Sequence, residues 1–276
     1  EYSGIKCYPT ANYVNYYGMQ NGYPINDMTK ADAESGYDPT HPWKNRDPRF
    51  YKTIMFDGVK WKSTGGAGGT AELFTGGRES EEANEKKGCF TAYMNSKLCP
   101  QLMNTVDGYK ENNIMILSLM RLADVYLMYA EAAAVGYNGP KGKAATYSLT
   151  AEEALNKIRE RAGVAPVLDK FLGSTADFLS ELRRERAVEL SFEGFRFIDL
   201  RRWMLLTQYP YTLKTKIEFD RADPNDYNYD EPEENAIKNL REVVLLERKY
   251  TDRHYWYPLP KKDVSMYEGF YQNPGW

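Results

Sequence analysis

The sequence predicts a mainly α-helical protein, with paired helices stacked behind a loop-rich segment and followed by an irregular tail. Three observations carry that reading. Across residues 121–206, apolar positions recur at three- and four-residue steps, the period of one helix face. Residues 1–110 are punctuated by the turn dipeptides Asn21-Gly22, Asp57-Gly58, Gly65-Gly66 and Asp107-Gly108. Residues 207–276 hold Pro210, Pro224, Pro232, Pro258, Pro260 and Pro274, which interrupt any long element.

The first helix is expected to bury a stripe of Leu122, Val125, Tyr126, Tyr129, Ala132 and Ala133, and to stop at Gly136 before the turn Asn138-Gly139-Pro140. The second opens on Thr150 with Glu153 three residues on, a capping box in which hydroxyl and carboxylate satisfy orphan amides. Its stripe is Ala151, Ala154, Leu155, Ile158 and Ala162, and Gly163 suits the left-handed position after the helix. Ser174 and Asp177 repeat the capping spacing ahead of Phe178 and Leu182. A fourth helix is expected over about 193–206, with Phe195, Ile198 and Trp203 on its apolar side. Trp203, Tyr126 and Tyr129 read as core. Two hairpins in succession predict an α-α superhelix of the tetratricopeptide kind, in which each pair buries its face on the next. Two pairs fall short of the usual minimum of about three repeats, so the reading asks for repeats upstream of residue 1 or for cover from the flanking segments. Short pieces of regular structure are expected at 11–17, 50–56, 243–246 and 255–257.

Composition excludes some function classes. The 276 residues are 42% hydrophobic and 27% charged with a net charge of -3, so the chain has no basic footprint for nucleic acid. Aromatic content is 14%, with 23 Tyr, 11 Phe and 5 Trp, which suits either half-exposed recognition surfaces or a Tyr-rich core. Cys7, Cys89 and Cys99 form no CxxC pair, so no zinc site is indicated; Cys89 and Cys99 stay open as a pair in an exported protein. The apolar run 114–134 contains Arg121, Asp124 and Glu131, costly in hydrocarbon, and reads as a buried strand-like entry followed by a core helix. The chain opens without Met or an apolar signal region, and reads as a mature, processed or truncated product. The Gly-rich stretch 63–70 lacks a following Gly-Lys-Ser/Thr, so it reads as a loop and not as a phosphate cradle.

Ordered motifs then point to a family. The segment 9–25 precedes Arg46-Asp47-Pro48-Arg49-Phe50-Tyr51, and a repeat-like helix follows at 121–132. Next come Asn156-Lys157-Ile158-Arg159-Glu160-Arg161-Ala162-Gly163-Val164 and the block running from Glu185-Arg186 through Glu193-Gly194 to Asp199-Leu200 and Arg202-Trp203. The chain closes on Tyr257-Pro258-Leu259-Pro260 and Gln272-Asn273-Pro274-Gly275-Trp276, where the family often has Tyr in place of the final Trp. In this order the motifs resemble the SusD/RagB family of nutrient-binding lipoproteins over nearly the whole chain, as its C-terminal portion. The resemblance implies a tetratricopeptide-like scaffold over 111–206, a loop-rich ligand-binding subdomain over 1–110 and a wrapping tail over 207–276. It implies a lipid anchor in an N-terminal half that this chain lacks, a place on the outer-membrane surface, and a SusC-like TonB-dependent transporter as partner. Its ligand would be an oligosaccharide; oligopeptide capture, or a repeat scaffold that binds other proteins, are the competing readings.

A sugar offers an apolar C–H face and a hydroxyl edge, which flat aromatic rings and nearby amides match. Trp43 and Trp61 lie in the loop-rich segment, preceded by Tyr16, Tyr17, Tyr23 and Tyr37, with Asn21 and Asn45 as amides. The expected ligand-binding set is Trp43, Trp61, Tyr17, Tyr23, Tyr37 and Asn45. Trp43 leads it, because the family's stacking aromatics fall around this motif; each Tyr has the competing reading of packing on its own loop.

No catalytic constellation is expected. In the block 185–202, Arg186 and Glu189, Glu193 and Arg196, Arg196 and Asp199, and Asp199 and Arg202 stand at i,i+3 and read as a structural ion-pair ladder. Asp47 between Arg46 and Arg49 reads as a rigid turn. His41 reads as a surface residue and His254 as tail packing. Asp226, Asn228 and Asp230 copy the start of a calcium loop, but Glu231 stands where Gly is required, so the segment reads as a solvated acidic loop. Neither metal nor cofactor is expected.

Overall fold

The computed structural model describes residues 8–25, 33–61, 69–82, 88–98 and 118–276. Along the chain come α1 (Ala11–Val14), α2 (Pro48–Thr53), β1 (Ile54–Met55), β2 (Met94–Asn95), α3 (Leu122–Gly136), α4 (Ala151–Ala162), α5 (Thr175–Glu189), α6 (Phe195–Arg202), β3 (Leu213–Arg221), β4 (Ile237–Glu247) and α7 (Lys261–Met266). Among the described residues, no helix is long and apolar enough to cross a membrane. Cys7, Cys99, residues 114–117 and most of the Gly-rich stretch lie outside the described residues; Cys89 is a free, buried thiol.

Local chemistry sets the helix ends. Thr150 Oγ1 accepts from the Glu153 amide at 3.2 Å while Glu153 Oε2 accepts from the Thr150 amide at 2.7 Å, and Gly163 closes α4 at φ 74. Thr150→Ala is expected to cost about 1 kcal/mol, the usual loss of an N-cap; chemical denaturation checks it. Ser174 caps α5 in the same way, accepting from the Asp177 amide at 3.1 Å. At α2, Asp47 accepts from the Arg49 amide at 2.9 Å and Pro48 occupies the first turn, where a missing N–H costs nothing. Asp-Pro-Arg is therefore a helix start.

α3 packs against both α4 and α5. Its buried face is Ala123, Asp124, Leu127, Ala130, Ala133 and Ala134, not the stripe expected from spacing; Leu122 is 67% exposed and Val125 42%. The helix is turned by about one residue because Asp124 goes inward to meet Arg186 Nη1 at 2.9 Å, and the alanines let α4 approach closely. Tyr126 and Tyr129 are half-buried against this cluster. α6 is shorter than expected, and Ile198 is 59% exposed. It is tied to α5 by the buried pair Arg186–Asp199 at 3.0 Å.

The tail holds a long antiparallel hairpin, with Leu213 opposite Glu247 and Arg221 opposite Ile237. The expected strand 243–246 lies within β4, whereas 255–257 is not a strand: Tyr255 ends a 3-10 turn over Asp252–Tyr255 and Trp256 caps it. β3 was not among the expected elements, although its burial alternates strictly: Thr215, Ile217, Phe219 and Arg221 are buried while Lys216, Glu218 and Asp220 are half-exposed. Ile217, Phe219 and Ile237 insert into one core with Tyr17, Trp43, Phe50, Phe56 and Tyr93, so this part of the tail completes the hydrophobic centre of the loop-rich segment. A second core lies among α3, α4 and α5, and a small third one gathers Leu200, Leu205, Leu206 and Tyr255.

Candidate functional site

A cleft of about 730 Å³ opens where α1, α5, α6 and the β3–β4 hairpin meet. Its first wall forms because α1 docks on β3. The Asn12 amide N–H donates to Thr215 Oγ1 and Asn12 Nδ2 donates to the Leu213 carbonyl, both at 2.8 Å, and Thr215 Oγ1 donates onward to Glu242 at 2.5 Å. α1 therefore presents Asn15 and Tyr16 to the cleft.

The floor comes from α5. Arg184 is held by Glu181 at 2.9 Å and donates to the carbonyls of Tyr16 (3.2 Å) and Gly22 (3.1 Å). This needs a glycine at 18, where a Cβ would stand 2.3 Å from the Tyr23 carbonyl and 2.8 Å from Arg184 Nη1. Burial raises the Glu181 carboxyl, but the charges and hydrogen bonds of Arg184 and Arg159 outweigh that and hold it low.

The far wall is a stack. The Arg196 guanidinium lies 4.7 Å from the Tyr16 ring centroid and 5.5 Å from that of Tyr211, and Nη2 donates to Tyr16 Oη at 2.7 Å. Burial raises the Tyr16 phenol above its ordinary range, with Arg196 opposing, so the hydroxyl keeps its proton and can donate it. Tyr209, 76% exposed, stands at the mouth. Behind the wall, burial followed by the neighbouring charges of Arg248 and Arg196 holds Lys214 down at about 8.

Among the described residues, one polar atom on each of two side chains in this lining has no protein partner. Asn15 is only 7% exposed, yet its Oδ1 accepts nothing. Arg183 lies with its guanidinium 5.4 Å from the Trp203 ring centroid, and its buried Nε donates to nothing. Buried polar groups in a folded protein are nearly always paired, so these two atoms are unsatisfied positions in the cleft wall.

None of the six residues expected to bind ligand lines this cleft. Trp43 is fully buried, stacked on Phe56 at 5.0 Å and edge-on to Phe219 at 5.2 Å, so it has no free face. Tyr17 is fully buried and donates to Ser191 Oγ at 2.7 Å. These two are corrected from ligand platforms to core. Tyr37 and Trp61 are half-buried against the same core. Tyr23 comes nearest the cleft: its ring lies 4.5 Å from Nζ of Lys170, a lining residue, and its hydroxyl donates to Glu34 at 2.9 Å. Asn45 is exposed in a left-handed turn at φ 54, away from the cleft lining. The signal that could have found the site is the spacing of Asn12, Asn15 and Tyr16 at three- and four-residue steps along one short helix and the turn that closes it.

The expected ladder in 185–202 is largely a tertiary network. Only Asp199–Arg202, at 2.8 Å, forms locally. Arg186 turns to Asp124 and Asp199, Glu193 to Lys97 and Arg121, and Arg196 to Tyr16. Among the described residues, every carboxyl with a resolved shift moves down, Glu131, Glu181, Glu185 and Glu193 among them. A proton-donating acid needs a carboxyl pushed up. In the acidic loop, Asn228 Oδ1 accepts from the amides of Asp230 at 3.0 Å and Glu231 at 3.2 Å, which commits it to a turn. His41 contacts Asp38 at 3.0 Å, and His254 packs between Tyr250 and Trp276.

A family model described as the SusD family matches residues 1–276. The chain belongs to the SusD family. Its backbone is similar to that of a SusD-like protein from Bacteroides fragilis, with a TM-score of 0.67 and 22% identity over 97% of this chain and 46% of that one. It is also similar to a SusD-like carbohydrate-binding protein from Bacteroides fragilis, with a TM-score of 0.59 and 20% identity over 93% of this chain and 47% of that one. The chain spans about half the length of these solved structures. No curated protein sequence matches it. As a SusD-family chain it shares the fold of these relatives.

Proposed function

We propose that this SusD-family chain belongs to a non-enzymatic nutrient-binding protein that captures oligosaccharides at the cell surface. In this reading the protein is lipid-anchored at the outer membrane and passes its ligand to a SusC-like TonB-dependent transporter. Its helices form part of a tetratricopeptide-like superhelix that the rest of the family fold completes. The observation that carries the reading is the cleft itself. Tyr16, Tyr209 and Tyr211 supply aromatic surface, while Asn15, Arg183 and Arg196 supply unpaired or half-paired hydrogen-bonding groups beside it. That combination suits a chain of sugar rings, apolar on the face and polar at the edge.

Isothermal titration of the protein against a panel of oligosaccharides tests it. Tyr209→Ala is expected to weaken the best ligand about 3- to 10-fold, the usual size of one aromatic contact. Asn15→Ala is expected to weaken binding by a similar factor without lowering stability, because its oxygen bonds nothing in the unliganded protein. Wild-type affinity in both variants would remove the cleft as the site. A second reading, oligopeptide capture, draws on Val244 of β4, which lines the cleft and is 57% exposed, because an extended peptide pairs with a strand edge. Binding of mixed peptides with no response to any glycan would decide for it.

A further inference from the structure

The cations in the cleft are unequally satisfied, and that inequality points to the ligand's charge. Arg184 is neutralised by Glu181, which also takes Arg159. Of the other carboxylates in the lining, Asp177 is engaged by the Ser174 hydroxyl at 2.6 Å and Glu242 by the Thr215 hydroxyl. Among the described residues, Arg196 and Arg183 have no carboxylate partner. Arg196 packs on the Tyr16 and Tyr211 rings and donates to Tyr16 Oη, and among the described residues its other N–H groups have no acceptor. Arg183 is fixed over Trp203 with a buried, unbonded Nε. A guanidinium packed over an aromatic ring has already given up much of its rotamer freedom, so its fork is preorganised for a planar or tetrahedral anion. Asn15 sits in the same lining, nine-tenths buried, with an amide oxygen that has no partner among the described residues.

We propose that the cleft selects oligosaccharides bearing anionic groups, uronate carboxylates or sulfate esters, with Arg196 and Arg183 as their partners and Tyr16, Tyr209 and Tyr211 holding the sugar rings. The proposal rests on the oligosaccharide reading above and sharpens it to a substrate class. Charge-assisted bonds to a fixed guanidinium are roughly twice as strong as neutral ones, and the cleft has two such groups unspent. A neutral glycan would leave both without a counter-charge.

The test uses uronate-containing tetrasaccharides of several linkages, each beside its methyl-esterified counterpart, with a sulfated tetrasaccharide and neutral tetrasaccharides alongside. The acid form of the best scaffold is expected to bind about 10- to 100-fold tighter than its ester. Added salt should weaken the acid form and leave the ester unchanged. Arg196→Gln should erase most of the difference between acid and ester. Arg183→Gln, which removes a contact with Trp203 and leaves the tyrosine stack in place, provides the same readout if the first variant loosens that stack. Lys262→Gln, on the exposed α7, should change nothing. A better response to the sulfated probe than to any uronate assigns the anion as sulfate and supports the proposal. Equal affinity for acid and ester overturns the anionic preference and leaves oligosaccharide capture standing. No binding of any glycan overturns capture itself, and the preference with it.

Discussion

Replacing Glu185 by alanine is expected to lower the unfolding free energy by about 3–5 kcal/mol, because it strands two arginines in the interior. Glu185 is 2% exposed and pairs with Arg49 at 2.5 Å and with Arg159 at 3.0 Å. Arg159 is itself fully buried, with a second bond to Glu181, and Arg49 also takes Asp47 at 2.7 Å and Glu189 at 3.1 Å. Glu189 continues the chain to Arg121 at 2.9 Å and Arg161 at 2.7 Å. Glu181, Glu185 and Glu189 thus stand at four-residue steps on one face of α5 and clamp α2 and α4 to it. Equilibrium denaturation in urea measures the loss; a variant within about 0.5 kcal/mol of wild type, the range of ordinary surface changes, would sink the clamp.

The same group predicts acid sensitivity. Burial raises the Glu185 carboxyl, but the charges of Arg49 and Arg159 overcome that and bring it down from 4.5 to about 2. A depressed folded-state pKa contributes stability that is fully present above the unfolded value and is lost as pH falls towards the folded one. The contribution is therefore intact above about pH 4.5 and fades between about 4.5 and 2. Glu181 and Glu193 are lowered too and add to the same slope. Stability followed against pH should fall more steeply in wild type than in Glu185→Ala across that window. Parallel curves would contradict it.

Trp43→Ala is expected to cost about 3–5 kcal/mol, the range for emptying a large aromatic site in a core. The ring is enclosed by Phe56 and Phe219, and its Nε1 donates to Tyr93 Oη at 3.4 Å. At a temperature where the variant stays folded, ligand affinity should match wild type, because the ring touches no part of the cleft lining. A Trp43→Ala protein of normal stability and lost affinity would restore the ring as a ligand platform. Ligand-induced fluorescence change, if any, should arise from a tryptophan other than Trp43.

What was legible divides by range. The caps at Thr150 and Ser174, the stop at Gly163 and the existence of the long helices follow from side chains within a few residues of the backbone they satisfy. Family membership was equally legible, because ordered motifs such as Arg46-Asp47-Pro48-Arg49 stand in the sequence itself. The burial side of α3 was not, since spacing alone favoured Leu122 and Val125, and the choice of face went to Asp124, whose partner Arg186 lies 62 residues away.

The site shows the limit most clearly. The sequence by itself determined a helical scaffold, its punctuation and a surplus of aromatic residues, all of which are local or compositional properties. Which aromatics are open and which are core was decided only by tertiary structure. Trp43 is closed off by Phe219, a residue from the far end of the chain that arrives on β3. The cleft is assembled from α1, α5, α6 and the β3–β4 hairpin, and Asn15, Arg183 and Arg196 gain meaning only from the partners that folding does and does not bring to them. A hydrogen-bonded cap is satisfied by its neighbours in sequence, whereas exposure is a property of what distant surface packs on top.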